Sequence, residues 1–146
     1  DDPMSYFRDI STFGGCAAGP AAALENLRII EDEKLLDNTK AMGVRLERNL
    51  RALMEKHEVI GDVRGKGLFF GAELVEDRAT KQPADEKKVA AVVGACNADG
   101  VLIGMTNRSL PGFNNTLCLA PALISRPADI DAITEAIDRA LTKVFG

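Results

Sequence analysis

The stretch Asp62-Val63-Arg64-Gly65-Lys66-Gly67-Leu68-Phe69-Phe70-Gly71-Ala72-Glu73-Leu74-Val75 decides the fold. From Leu68 onward the residues alternate. Leu68, Phe70, Ala72 and Leu74 fall on one face, and Phe69, Gly71, Glu73 and Val75 on the other. A period of two with one apolar face marks a strand lying on a core. Gly65 and Gly67 admit backbone angles closed to other residues, so a turn or bulge feeds this strand. Val59 to Arg64 reads as a shorter strand entering that turn.

Helices flank the hairpin on both sides. Upstream, Cys16 to Glu31 is alanine-rich, places Pro20 in its first turn and sets Leu24, Leu27 and Ile30 on one side. Asp32 to Lys56 is a longer, more charged helix with Leu35, Met42, Leu46, Leu50 and Leu53 on its apolar face. Downstream, Glu76 to Ala84 is a polar surface loop. Asp85 to Asp99 is a helix with Val89, Val92, Val93 and Cys96 inward and Gly100 as its C-terminal stop. Val101 to Gly104 and Thr116 to Ala120 are strands. Ser125 caps a last helix that has Pro127 in its first turn and Ile130, Ile133, Ile137, Leu141 and Val144 at helical spacing. Strands interleaved with one-sided helices imply an α/β or α+β sandwich with the helices on one face.

Two stretches carry candidate chemistry. Ser11-Thr12-Phe13-Gly14-Gly15 sets two hydroxyls beside two glycines. Such a loop suits an anion such as phosphate, and it is equally the composition of a plain turn or helix cap. Met105 to Asn115 holds Asn107, Arg108, Asn114 and Asn115, the makings of either a ligand loop or an exposed turn.

The totals narrow the function classes. The 146 residues carry a net charge of -4, which argues against nucleic acid as a partner. No apolar run reaches the roughly 18 residues of a membrane span. Cys16, Cys96 and Cys118 lack metal-ligand spacing and read as reduced thiols of a cytoplasmic protein. With His57 the sole histidine, a Cys-His metal centre is not expected.

Three marks in order resemble the C-terminal third of a class III (fold type I) pyridoxal-phosphate aminotransferase, the group of ω-amino acid:pyruvate transaminases. They are Ser11-Thr12-Phe13-Gly14-Gly15 with the helix ending Leu24-Glu25-Asn26-Leu27-Arg28-Ile29-Ile30-Glu31, then Val63 to Leu74, then Leu117-Cys118-Leu119-Ala120-Pro121-Ala122-Leu123-Ile124 leading to Ile130-Asp131. The resemblance implies that residues 1–31 end a large cofactor domain and that 32–146 form the small C-terminal domain, a mostly antiparallel sheet with helices on one face. It implies a homodimer in which Thr12, helped by Ser11, binds the phosphate of pyridoxal 5'-phosphate (PLP) of the neighbouring subunit. Arg108 is the implied holder of the substrate carboxylate, and an amine or amino acid and a 2-oxo acid such as pyruvate are the implied substrates. Relatives commonly have His-Pro where Cys16-Ala17 stands here. The family's Schiff-base lysine lies upstream of the Ser-Thr motif, and no lysine here matches it. The expectation is a catalytically incomplete piece of a longer aminotransferase. An aminomutase or decarboxylase of the same fold, and a free-standing non-catalytic α/β module, are the alternatives.

Overall fold

The computed structural model describes residues 11–108 and 110–146. The irregular start expected over positions 1–10 lies outside the described residues. The chain divides into two compact units, one ending at Lys34 and the other spanning Leu35–Gly146.

In the first unit, turns over 11–17 lead into α1 (Ala18–Asp32). Pro20 sits in its first turn, where a missing N–H costs nothing. None of its residues is buried; Leu24 and Leu27 are exposed and Ile30 is half-buried.

The second unit runs α2 (Leu35–Lys56), β1 (Ile60–Lys66), β2 (Phe69–Asp77), β3 (Gln82–Pro83), α3 (Glu86–Ala98), β4 (Gly104–Met105), β5 (Thr116–Leu119) and α4 (Pro127–Phe145). The sheet order is β1-β2-β5-β4, with β3 a short addition to β2, and every pairing is antiparallel. The expected α+β fold with a small antiparallel sheet is the one observed.

The alternation of the deciding stretch is what makes the core. Phe70, Ala72 and Leu74 of β2 face inward, opposite Leu119 and Leu117 of β5. On the other side Ile60 and Val63 of β1 both point inward although three residues apart. A register shift between Ile60 and Asp62 reconciles them with the two-residue period. Leu46 and Leu50 of α2, Val89, Val92 and Cys96 of α3, and Ile130, Ile137 and Leu141 of α4 complete the same cluster. The outer side of the hairpin carries Asp62, Arg64 and Glu73, with Arg64 Nη1 2.8 Å from Asp62 and 2.6 Å from Glu73.

The hairpin closes through Gly67 and Leu68, between the paired Lys66 and Phe69. Gly67 has φ +59° and Leu68 does not share the positive φ, the arrangement that puts glycine at the first central position. Gly43 of α2 lies directly on this turn. A Cβ there would stand 2.3 Å from the Gly67 carbonyl oxygen, so helix and turn meet backbone to backbone.

Polar groups lock α2 to α4. Arg45 makes a two-pronged pair with Asp131 at 2.7 and 2.5 Å, and Asn49 donates to both Asp131 and Thr134. Near the end of α2, Lys56 and His57 Nε2 each lie 2.6 Å from Asp138. Arg78 caps the end of α2, donating to the carbonyls of Met54, His57 (2.9 Å) and Ile60 (3.0 Å).

Three local expectations are corrected. The strand expected at Val101 to Gly104 is only Gly104–Met105. Val101 N–H is taken by Cys96 O, and Gly100 at φ +81° completes the turn off α3, so extended pairing starts later. The 76–84 loop contributes β3. Arg126 rather than Ser125 is the N-cap of α4; its backbone N–H donates to Asp129 Oδ2 at 2.7 Å.

Candidate functional site

Ser11 and Thr12 lie in the turns that enter α1, and both are exposed. Ser11 O accepts from Gly14 N–H at 3.0 Å, and Gly15 takes φ +83° to redirect the chain into the helix. Ala17 caps α1 without a side-chain bond, and no acidic residue occupies the first turn. This is a short glycine turn with two outward hydroxyls before a helix start that carries no negative charge. An oxyanion is the chemistry such a donor set accommodates. The phosphate of PLP fits it.

Arg108 belongs to the second unit, in the loop between β4 and β5. Both mouths of the loop are sewn to the sheet. Thr106 N–H donates to Thr116 O at 2.9 Å, and Thr116 N–H donates to Thr106 Oγ1 at 3.2 Å. At the other mouth Leu74 N–H donates to Asn115 O at 2.8 Å, and Asn115 Nδ2 returns to Leu74 O at 2.6 Å. Asn115 is only 3% exposed and extends the β2–β5 ladder with its amide. That assigns one of the loop's three amides to architecture, away from ligand contact.

Between these anchors the loop turns through Leu110–Phe113, with Phe113 N–H donating to Leu110 O at 2.9 Å and Gly112 at φ +85°. Leu110 and Phe113 stand exposed beside the exposed Arg108. Arg108 has no ion-pair partner among the described residues, in contrast to Arg45 and Arg64. Both of those guanidiniums are held above their ordinary value, Arg45 chiefly by its bond to Asp131 and Arg64 chiefly by its bond to Asp62. Both are committed to the fold. Arg126 is the N-cap of α4.

Sequence reasoning missed Glu86. Its Oε1, at the first position of α3, accepts from Gly112 N–H at 2.8 Å, Asn114 N–H at 3.3 Å and Asn114 Nδ2 at 3.1 Å. A glutamate at a helix start has an ordinary explanation in the helix dipole. Nothing in the sequence linked it to a loop 26 residues away.

The open groove of about 560 Å³ between α2 and the hairpin turn, lined by Leu36, Thr39, Gly43, Val44, Gly67 and Phe70 among others, contains none of the candidate residues. The three cysteines are free thiols. No helix of the described residues is long and apolar enough to cross a membrane.

Comparison with known proteins adds the context. A family model described as class-III aminotransferase matches residues 2–141. A hypotaurine/taurine–pyruvate aminotransferase of Paracoccus denitrificans is 74% identical over 145 residues, covering 99% of this chain and 32% of that protein. The crystal structure of a Bacillus anthracis aminotransferase superposes with a TM-score of 0.91 at 41% identity, covering 97% of this chain and 32% of the other. An amine transaminase from an uncultivated Pseudomonas species, solved in its PLP-bound form, gives 0.83 at 29% identity, covering 94% and 30%. The chain thus spans about a third of the length of the curated relatives it matches. A family match over nearly every residue, with the same fold in solved transaminases, places this chain in the class-III aminotransferase family.

Proposed function

We propose that this chain is the C-terminal part of a PLP-dependent enzyme that moves an amino group from a short ω-amino acid to a 2-oxo acid, with taurine or hypotaurine as donor and pyruvate as acceptor. The observation that carries the reading is 74% identity across 145 residues to a hypotaurine/taurine–pyruvate aminotransferase.

The roles follow from the chemistry of the side chains. Thr12 donates its hydroxyl to the cofactor phosphate, helped by Ser11; charge-assisted bonds of this type are the strong ones. In the homodimer that phosphate belongs to the neighbouring subunit's cofactor. Arg108 offers a planar fork to the sulfonate, sulfinate or carboxylate of the donor, and no carboxylate of the described residues pairs with it. PLP supplies the electron sink on which amino transfer depends. Eight lysines stand in this chain, all downstream of Thr12, so the lysine that anchors the cofactor comes from the remainder of the enzyme. The exposed Leu24 and Leu27 of α1 support assigning residues 1–31 to the large cofactor domain, whose remainder would cover them. Residues 32–146 are the small domain. Free thiols support a cytoplasmic location.

The test is an assay of the full-length enzyme with PLP, taurine and pyruvate. Alanine formation that depends on both substrates is expected. No alanine from taurine, hypotaurine or β-alanine would overturn the reading.

A further inference from the structure

We propose that Glu86 is a positioning residue for the donor-binding loop. Its single oxygen Oε1 collects three hydrogen bonds from Gly112 and Asn114, and so ties the turn at Gly112 to the start of α3. The inference rests on the reading of Arg108 as the anion holder.

Among the described residues the loop is attached in two ways, to the sheet and to a helix. Thr106–Thr116 and Asn115–Leu74 are ladder bonds that continue the sheet and would form whatever the loop bound. Among the described residues, the Glu86 contact is what ties the loop to a helix. Its acceptor is a carboxylate oxygen, and the bond from Gly112 N–H, at 2.8 Å, is the shortest of the three. Two of its three donors are backbone amides, so it sets the path of the main chain through the turn at Gly112. The residues between that turn and Thr106 include Arg108. With Leu110 and Phe113 exposed, little apolar packing holds this half of the loop in place. Without the carboxylate the guanidinium would sample many positions, and the entropy of fixing it would be charged to substrate binding.

The fold supplies the carboxylate by an independent route. Asp85 caps α3 with its own side chain, accepting from Lys87 N–H at 2.7 Å. Glu86 is therefore not needed as a cap and is free to reach the loop. Substituting it leaves the Asp85 cap in place.

The experiment uses the full-length PLP-bound enzyme with Glu86→Ala, Glu86→Gln and Arg108→Ala. Two readouts are taken: hydrogen exchange of the peptide covering 107–115, and kinetics with taurine against propylamine, a donor without an anion. Glu86→Ala is expected to speed exchange of the Gly112 and Asn114 amides. It is also expected to raise KM for taurine about tenfold, while kcat/KM for propylamine stays within about twofold, since misplacement penalises only the group that must be gripped. Glu86→Gln keeps a carbonyl acceptor and is expected to recover part of both effects. Unchanged exchange in Glu86→Ala overturns the tether. Faster exchange with no selective change in KM overturns the positioning role. If Glu86→Ala is selective and Arg108→Ala is not, the tether stands, and what fails is the assignment of Arg108.

Discussion

Gly43→Ala adds one methyl group where α2 rests on the hairpin turn. The new carbon would lie 2.3 Å from Gly67 O, 2.8 Å from Gly67 C and 3.0 Å from Gly67 Cα. The first of these is about 1 Å short of ordinary contact. Neither side can yield by rotating a side chain, because both sides are backbone. Overpacking of this kind costs about 1–3 kcal/mol, and a backbone-on-backbone clash belongs at the upper end. Alanine recovers about 1 kcal/mol through its better helix propensity. The net expectation is a loss of about 2 kcal/mol, or about 8 °C in Tm for a domain of this size. Gly94 supplies the control. It sits exposed in α3 with nothing within 4 Å of a Cβ, so Gly94→Ala keeps the propensity gain and is expected to stabilise. Urea unfolding followed by far-UV circular dichroism measures both. The same substitution in two helices should move the midpoint in opposite directions. A Gly43→Ala midpoint equal to or above wild type would refute the close approach of helix and turn.

Four other expectations follow from named contacts. The Arg45 guanidinium, aided by Asn49 and opposed by burial, holds the Asp131 carboxyl down to about 2. Because the folded value lies below the unfolded one, this stabilisation is present above the ordinary carboxylate range and is lost as pH falls through it toward about 2. Asp131→Asn is expected to flatten acid sensitivity in that window, and parallel pH profiles of wild type and variant would contradict it. Arg78→Ala is expected to destabilise by about 1–3 kcal/mol through the carbonyls left unpaired at the end of α2. Arg78→Lys, lacking the fork, should recover only part, and an unchanged urea midpoint would exclude the capping role. In the full-length enzyme, Thr12→Val is expected to speed PLP dissociation several-fold without altering the unfolding midpoint; an unchanged off-rate removes Thr12 from the proposed phosphate site. Arg108→Ala is expected to raise KM for taurine by about tenfold or more, as loss of a charged hydrogen-bond partner does, with little effect on a simple amine. Equal effects on both donors would place the anion elsewhere.

Patterns of short range were legible in the sequence. The alternation from Leu68 to Leu74 identified β2 because burial on one face leaves a period of two. The stripe from Ile130 to Val144 identified α4 for the matching helical reason. Signals set by distant partners were silent. Gly43 reads as a mild helix defect until Gly67 is brought against it. Arg45 and Asp131, 86 positions apart, look like two surface charges. Ser125 had the right side chain for a cap, yet Asp129 reaching back to Arg126 decided where α4 begins. Of the candidate site, the Arg108 loop was located by composition. Asn115, however, proved to be part of the sheet, because an amide side chain can imitate a strand's backbone. The role of Thr12 came from resemblance alone, since a Ser-Thr-Gly-Gly turn fits many purposes.

The bulge between Ile60 and Asp62 has a consequence for how the molecule behaves in a crowd. β1 is the outer strand of the sheet on one side, and the two-residue β4 closes the other. An outer strand that is long, flat and apolar invites pairing with the same strand of another molecule. Here the bulge twists β1, and Asp62, Arg64 and Lys66 line its exposed positions. The folded sheet therefore meets its neighbours along β1 with a kinked, charged border, poorly suited to seeding a fibril.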